Sequence, residues 1–336
     1  MTLALFGFLF NINSALPRLI TARLCNRLNR NGGIYMTIEE KKRKFTDIMA
    51  SFIGHTAIHL PDDVVSKLEE LRAAENDPAA LSIYDMMFEN MRLAAKLGRP
   101  SCQDTGRVQF RIECGSRFPL IHQLNDVLHD AVRKATSETP LRPNAVEAFD
   151  EYNTGNNTGT GAPALFWDII PDSDSCGIYT YLAGGGCSLP GQAMVLMPGD
   201  GYEGVARVIL DRITSYGLNA CPPLLVGVGI AGSIETAALH SKLALLRPVG
   251  SHNPNEKAAA MERLLEDSIN AIGIGPQGLG GSSSVLGVNI EYSVRHTATI
   301  GVAVNFGCWT HRRGHIIFDS DLNCATDTHH GFTCGY

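Results

Sequence analysis

The sequence predicts a helix-rich mixed α/β domain, because helical spacing dominates the first third of the chain and short apolar strands follow it. From position 39 to position 97, charged residues are interleaved with Ile, Leu, Val and Met at roughly helical spacing. Later, bulky apolar runs are bounded by proline or glycine, which is typical of strands. A chain of 336 residues, 44% of them hydrophobic, is long enough to bury a substantial core.

The first elements in chain order are helices followed by a strand. Pro61 and the two acidic residues after it predict a helix start, because proline and acids favour the first turn, and this helix continues to Leu71. At Val108–Glu113 the apolar period changes to two, which predicts a half-buried strand. Residues 120–135 return to helical spacing. The first sheet therefore begins after a mainly helical region.

The second half of the chain alternates strands with helices. Ala164–Ile170 is bulky, apolar and bounded by Pro163 and Pro171, so we expect a strand. The same signals predict two further strands and two helices: strands at Ile178–Leu182 and Leu224–Val228, and helices at 204–216 and 234–246. No internal repeat interrupts this order, which favours one mixed α/β domain.

Charge and cysteine content argue against several classes of protein. The net charge is −6, and residues 1–35 hold four arginines and no acid, so the remainder carries 24 basic against 34 acidic groups. This balance argues against nucleic-acid binding. Nine cysteines are an odd number scattered along a long chain, which does not resemble a disulfide framework. We therefore expect a soluble protein of the reducing cytoplasm, with no membrane or nucleic-acid partner.

Residues 1–35 are predicted to lie outside the domain. Met1–Ile12 is largely apolar, but about twelve residues cannot span a bilayer, which needs roughly twenty. The acid-free, arginine-containing stretch that follows has a composition also found in organelle transit peptides. Residues 31–36 are what translation of a purine-rich ribosome-binding site and a start codon would give. We expect a mis-assigned start ahead of Met36, with a targeting segment or a disordered extension as the alternatives.

Three isolated cysteines in glycine- and proline-rich surroundings carry the candidate chemistry. Cys102, Cys221 and Cys308 lie 119 and 87 residues apart, so they form no compact ferredoxin-type run. Three thiolates could hold a cubane iron–sulfur cluster and leave its fourth iron open as a Lewis acid. On spacing alone, each is more simply a small buried core residue.

The segments around these cysteines resemble the alpha subunits of iron–sulfur class I fumarases and tartrate dehydratases. The resemblance runs from about Met36 to about Asp321 and rests on five segments in the same order: Ser101–Gly106, Gly184–Cys187, Asn219–Pro223, Gly275–Gly281 and Gly307–Gly314. It implies the N-terminal, cluster-binding fold of class I fumarases over residues 36–325. Residues 326–336 then form a tail without a recognisable motif.

A further run indicates the branch of this family. Residues 183–191, followed by 195–198 and 201–205, are similar to the L(+)-tartrate dehydratase branch, whereas fumarases usually carry serine where Cys187 stands. The resemblance therefore implies a hydro-lyase that dehydrates L(+)-tartrate, a small dicarboxylic hydroxy acid, to oxaloacetate and water. A two-subunit fumarase that interconverts fumarate and malate is the alternative.

The same resemblance implies the residues of the active site. It assigns [4Fe-4S] cluster ligands, substrate contacts and proton-transfer residues as follows: ligands Cys102, Cys221 and Cys308, substrate contacts Gln103, Asp104, Arg142 and Gly185, and proton transfer by Asp104 and His296. A bidentate guanidinium and an open glycine backbone both suit a carboxylate. Their structural alternatives are a solvated surface arginine and a tight turn.

Other residues near these segments are less specific. Cys187 is interpreted as a spare thiol near the site, and His311, Arg312 and Arg313 follow Cys308 closely enough to orient its loop or to steer anions. The remaining five cysteines are expected to be structural or incidental: Cys25, Cys114, Cys176, Cys324 and Cys334.

The family resemblance also implies a partner. Single-chain members carry a C-terminal domain that brings further arginines, a lysine and the catalytic base, whereas this sequence stops at Tyr336. We therefore expect a separate beta subunit and an assembly of two alpha and two beta chains.

Two functions outside this reaction class stay open on the sequence. Gly227–Gly232 matches the dinucleotide fingerprint after a predicted strand, but the acidic residue expected about twenty positions further on is missing. We therefore expect these glycines to serve packing rather than to bind NAD. A non-enzymatic iron–sulfur sensor would hold a cluster but show no substrate-induced change at the open iron.

Overall fold

The structure is a computed structural model that describes residues 36–334, which form two large β-sheets with helices on their faces and a separate two-stranded sheet. The helices are α1 (Ile38–Ile58), α2 (Asp62–Ala74), α3 (Pro78–Leu97), α4 (Leu124–Glu138), α5 (Gly185–Ser188), α6 (Gly201–Tyr216), α7 (Ile234–Leu246) and α8 (Glu256–Ile272). The strands are β1 (Arg107–Gly115), β2 (Val146–Glu147), β3 (Tyr152–Asn153), β4 (Ala164–Ile170), β5 (Cys176–Ala183), β6 (Gln192–Leu196), β7 (Leu224–Ala231), β8 (Val285–Tyr292), β9 (Ile300–Gly307), β10 (Arg313–Phe318) and β11 (Cys324–Thr326).

The two sheets are mixed and differ in strand order. The larger sheet has the order β11-β10-β5-β1-β4, and the smaller sheet has the order β6-β9-β7-β8. In the larger sheet β5 is antiparallel to both β1 and β10, while β1 and β4 are parallel. In the smaller sheet β9 is antiparallel to both β6 and β7, while β7 and β8 are parallel. These pairings decide which loops meet at each sheet edge.

Each sheet has its own hydrophobic core. On the larger sheet, Phe45 and Phe52 of α1 and Leu128 of α4 pack with strand residues such as Phe110 and Ile112. On the smaller sheet, α6 and α8 cover one face and α7 packs on the other. Strand β7 is consequently buried along its whole length, as its continuous apolar sequence indicates.

A third core joins the two sheets. Val64 and Leu68 of α2 and Tyr84 of α3 pack together with Tyr181 of β5 and Leu225 of β7. Because this cluster contains residues of both sheets, it fixes the seam along which the sheets meet.

The predicted elements are confirmed, with shifts at several ends. Strand β4 and helix α7 have the predicted bounds, whereas β7 continues three residues further, to Ala231. Helix α4 begins at Leu124 rather than at position 120. The reason is that residues 115–123 form successive hydrogen-bonded turns while Phe118 and Leu120 still point into the core. Their apolar spacing therefore resembles a helix without being one.

The glycine-rich segment after the Cys221 loop is part of a strand. Gly227 and Gly229 lie inside β7, where a Cβ atom would collide with the backbone carbonyls of Ser241 and Ala237 in α7. These glycines allow α7 to pack closely on β7. The structure thus supports the packing interpretation of the dinucleotide-like fingerprint.

The cysteines outside the site are core or surface residues. Cys114 and Cys176 face each other across β1 and β5 and are fully buried. Cys324 and Cys334 form a disulfide, which agrees with the expectation that these two cysteines are structural or incidental. The interpretation of residues 1–35, including Cys25, falls outside the described residues. Among residues 36–334, every helix is too short or too polar to cross a membrane.

The first part of the predicted tail packs against α1. The His329 Nε2–H group donates to the carbonyl of His59 at 3.3 Å, and the Phe332 ring contacts the rings of Phe52 and His55. Three imidazoles meet here, because His55 stacks on His59 at 4.4 Å and lies 5.2 Å from His329 between ring centroids. Burial lowers the pKa of both His55 and His329 to about 4.

We expect these histidines to make the fold acid-sensitive. In the unfolded chain they bind protons below a pH of about 6.5. The folded state resists protonation until about pH 4. Their stabilising contribution is therefore present above pH 6.5 and is lost as the pH falls towards 4. The loss should be on the order of 2 kcal/mol after allowance for solvent screening. Urea unfolding across this pH range measures it.

A matched pair of variants isolates this effect. His329→Gln should flatten the dependence of the unfolding free energy on pH between 6.5 and 4. His122→Gln should not, because His122 is exposed. An identical slope in His329→Gln and the unmodified protein would contradict the assignment.

Candidate active site

Strand pairing brings the loop of Cys102 to the glycine-rich turn after β5. Arg107, the first residue of β1, pairs with Ala183, the last residue of β5, so both loops lie at one edge of the larger sheet. Arg313, the first residue of β10, pairs with Tyr181 at the same edge. The segments that precede β1 and β10 and the segment that follows β5 are therefore neighbours.

Strand pairing in the smaller sheet brings Cys221 to Cys308. Leu225 near the start of β7 pairs with Gly307 at the end of β9, which places the loop before β7 beside the loop after β9. The backbone N–H of Trp309 donates to the carbonyl of Cys221 at 3.2 Å and ties the two loops together. The joined sheets thus bring all three predicted ligand cysteines to the seam.

The three thiols lie at different depths and affect one another. Cys308 is buried, Cys102 is half-buried and Cys221 is exposed. Desolvation of its sulfur raises the pKa of Cys221, and the charges of Cys308 and Cys102 raise it further. Cys221 also adopts a left-handed backbone conformation, with φ of 56°. The charges of Cys308 and Cys102 are therefore close enough to influence the Cys221 sulfur.

Cys308 has the most developed surroundings of the three. The Cys187 thiol, which is buried beside it, and then the charge of Arg312 lower the pKa of Cys308. The Thr310 hydroxyl also lies 3.0 Å from its sulfur. The interpretation of Cys187 as a thiol near the site is thus supported by its contact with Cys308.

Asp104 is held in a fixed orientation by three N–H donors. One carboxylate oxygen accepts from the Gly185 backbone at 2.7 Å, and the other accepts from the Gly106 backbone at 3.0 Å and from Asn144 Nδ2 at 3.1 Å. The structure therefore brings Asp104 and Gly185 together. The Gly185 N–H group serves this carboxylate rather than pointing freely to solvent.

Gln103 and Arg142 lie on the outer side of this arrangement. Both residues are exposed, and the Arg142 backbone is held next to the Asp104 loop because its carbonyl accepts from the Thr105 hydroxyl at 3.3 Å. Within residues 36–334, the Arg142 guanidinium makes no ion pair. It is therefore available to an anion that approaches from outside.

His296 does not join this group within one chain. It is exposed in the loop between β8 and β9, close to Gly232 at the far end of β7. Cys308 follows the other end of β9, which has eight residues. A strand of that length separates its two ends by roughly 25 Å. The structure thus shows no contact between His296 and Asp104, and the proton relay stays a prediction.

The basic residues after Cys308 are buried rather than exposed. His311 and Arg312 are each 1% exposed and Arg313 is 2% exposed. The His311 Nε2–H group donates to the carbonyl of Leu245 at 2.8 Å, and Arg312 Nη2 donates to the carbonyl of Asp104 at 2.8 Å. Of the two predicted roles, orientation of the loop fits this placement and steering of anions from solvent does not.

Two residues near the site were not assigned a role from the sequence. Asn144 fixes the Asp104 carboxylate, but an asparagine in a loop is too common to stand out. Burial lowers the pKa of Lys242 in α7 to about 8, and its ammonium group lies 5.6 Å from the centre of the Tyr181 ring. A lysine in a helix is normally a solvent-facing residue, so the sequence did not indicate this burial.

Comparison with known proteins identifies the family. Residues 46–317 match the protein-family model described as fumarate hydratase (Fumerase). The chain belongs to the fumarate hydratase family. Members of this family are hydro-lyases, so the chain is a hydro-lyase homologue.

Its curated relatives include alpha subunits of one dehydratase. The chain is 53% identical to the L(+)-tartrate dehydratase subunit alpha of Escherichia coli K12. The 291 aligned residues cover 87% of this chain and 96% of that protein. The corresponding protein of Shigella sonnei gives the same identity and coverage. A protein of Methanocaldococcus jannaschii, provisionally described as the same subunit, is 33% identical over 80% of this chain and 96% of its own length.

The site residues fit the iron–sulfur cofactor that is typical of this family. No group of three or more His, Cys, Asp or Glu side chains among residues 36–334 converges as ligands of a single ion. A cubane makes a different demand, because each thiolate binds its own iron. A cubane with three thiolates is also anionic, and the buried Arg312 supplies a cation whose Nε and Nη1 atoms have no hydrogen-bond partner among the described residues. The three thiolates and the positive charge of Arg312 are therefore both compatible with an iron–sulfur cluster.

We expect the turn that contains Gly186 to depend on the absence of a side chain. A Cβ atom at Gly186 would lie 2.7 Å from the carbonyl oxygen of Asn219, in the segment before Cys221. Gly186→Ala should therefore lower the free energy of unfolding by about 1 to 3 kcal/mol. Gly185→Ala is the control, because its Cβ would meet only Asp104 Oδ2 at an ordinary 3.5 Å. Equal urea midpoints for the two variants would contradict this packing.

Proposed function

We propose that this chain is the cluster-bearing alpha subunit of an L(+)-tartrate dehydratase, which converts L(+)-tartrate to oxaloacetate and water. The observation that carries the proposal is the meeting of three distant cysteines, the oriented Asp104 carboxylate and the exposed Arg142 guanidinium at one seam. The 53% identity to the Escherichia coli alpha subunit supports tartrate as the substrate. The fumarase alternative is not favoured by these relatives.

Cys102, Cys221 and Cys308 would hold a [4Fe-4S] cluster with one iron open. When bound, the cluster supplies Lewis-acid polarisation of the hydroxyl group that leaves as water. The chain's own residues provide position and protons around that chemistry.

Asp104 is the proposed proton donor to the leaving hydroxyl. Its carboxyl group is held in one orientation by backbone and amide N–H groups, which fixes its position beside the seam. Arg142 would bind a substrate carboxylate with two parallel N–H bonds, and Gln103 beside Cys102 would donate or accept a further hydrogen bond. The Gly185 backbone N–H group donates to Asp104, and it would donate to the substrate carboxylate as well. Loss of water leaves an enol that becomes oxaloacetate.

The reaction also requires a base that removes the proton from the neighbouring carbon. We propose that a beta subunit supplies this base, because the relatives are named as alpha subunits. An assembly of two alpha and two beta chains is the proposed complex. We place it in the cytoplasm, since a cluster with an open iron needs a reducing compartment. The role of His296 as a proton relay to Asp104 is proposed on the family resemblance alone.

Anaerobic co-expression with the beta subunit and assay on three substrates tests the function. The complex should turn over L(+)-tartrate much faster than fumarate or malate. Faster turnover of fumarate or malate would favour the two-subunit fumarase, whereas a complex with a cluster but no turnover would favour a sensor.

We expect each ligand cysteine to be required for iron. Cys102→Ala, Cys221→Ala and Cys308→Ala should each abolish activity and reduce bound iron, because each removes one of three thiolates. Cys114→Ala is the control, since Cys114 lies in the core of the larger sheet. Iron analysis and the visible absorption of the anaerobic complex measure the outcome. Full iron content in one of the three variants would remove that residue from the site.

We expect Arg142 to act through its bidentate geometry. Arg142→Lys keeps the charge but loses the planar fork, so kcat/KM on L(+)-tartrate should fall roughly 10- to 200-fold, equivalent to about 1.4 to 3 kcal/mol. Iron content should stay intact, because Arg142 is exposed and makes no ion pair within the described residues. An unchanged kcat/KM on the true substrate would refute the role of this arginine.

A further inference from the structure

Arg312 is a buried cation with unused hydrogen-bonding capacity. The residue is 1% exposed, and its Nε and Nη1 atoms are buried without a partner in the described part of the chain. Only Nη2 is engaged, with the Asp104 carbonyl at 2.8 Å. Leaving a buried, charged donor unpaired costs several kcal/mol, so a fold that retains one normally provides a partner for it.

The neighbouring arginine shows how the same burial is ordinarily compensated. Arg313 is 2% exposed and forms an ion pair with the Asp63 carboxylate. Arg312 forms no ion pair with any carboxylate between residues 36 and 334. Among the described residues, Arg313 therefore has an anionic partner and the adjacent Arg312 has none.

The position of the Arg312 guanidinium indicates where its partner belongs. It is anchored to Asp104, two residues after Cys102, and it lies close enough to Cys308 and Cys187 for its charge to act on both sulfurs. It therefore lies between the loops that carry two of the proposed cluster ligands. The negative charge that would satisfy it must enter this same space.

We propose that Arg312 is a positioning residue that donates its unpartnered N–H groups to sulfur atoms of the bound cluster. This inference rests on the proposed function, since it requires a cluster held by Cys102, Cys221 and Cys308. Hydrogen bonds to cluster sulfurs favour the more negative, reduced state and so raise the reduction potential. Arg312 would also link the cluster to the Asp104 loop, because its third nitrogen holds the Asp104 carbonyl.

The first test compares two equally buried arginines in the anaerobic complex. Arg312→Lys keeps the charge but cannot reproduce the guanidinium donors, so the midpoint potential of the cluster should become more negative while most of the iron is retained. Arg313→Lys is the matched control and should leave the potential unchanged. An unchanged potential in Arg312→Lys, with full iron content, would overturn the inference.

The second test needs no variant and therefore does not depend on whether Arg312→Lys folds. In the unmodified complex labelled with ¹⁵N-arginine, the reduced cluster should show hyperfine coupling to a guanidinium nitrogen. A reduced cluster without such coupling overturns the inference and leaves the proposed function intact. A complex that holds no cluster at all overturns both, and iron analysis separates the two outcomes.

Discussion

The active-site seam depends on the pairing register of two sets of antiparallel strands. Because β5 pairs with both β1 and β10, and β9 pairs with both β6 and β7, loops far apart in sequence end at common sheet edges. The core formed by α2, α3, Tyr181 and Leu225 then holds those two edges against each other. A shift of either register by one residue would reverse the direction of every side chain on the moved strand and separate the cysteine loops.

Burial of charge is the second constraint on this seam. A site that excludes water strengthens each electrostatic interaction, but it also makes an unpaired cation expensive. Two adjacent buried arginines differ in this respect. Arg313 forms an ion pair with Asp63, whereas Arg312 pairs with no carboxylate among the described residues. The same seam contains two buried sulfurs, Cys187 and Cys308, close to Arg312. The anionic cluster that we propose would balance the charge of Arg312 at this seam.

The sequence predicted the elements that strong local signals delimit. Prolines on both sides delimit β4, and its bounds were predicted correctly, whereas the start of α4 was not, because Phe118 and Leu120 keep helical spacing in turns. The cysteines were selected by family resemblance, since spacing alone cannot reveal loops that meet through strand pairing. The sequence also did not indicate that His296 lies far from Asp104. His296 lies only twelve residues before Cys308 in the sequence, but the whole of β9 extends between them.

Exposure across the site changes from one side to the other, and this gradient bears on how the reaction is divided between subunits. Cys308 and Arg312 are buried on the inner side, whereas Cys221, Gln103 and Arg142 are exposed on the outer side. Asp104 lies between them with its carboxylate fixed by three donors. An exposed guanidinium binds an anion weakly in water, because the local dielectric constant is high. The same contact becomes far stronger when another protein surface covers it and excludes solvent. The residues on the inner side are thus held in place by this chain. The residues on the outer side would bind an anion strongly only when a second protein surface excludes solvent from them. We propose that the beta subunit provides this surface.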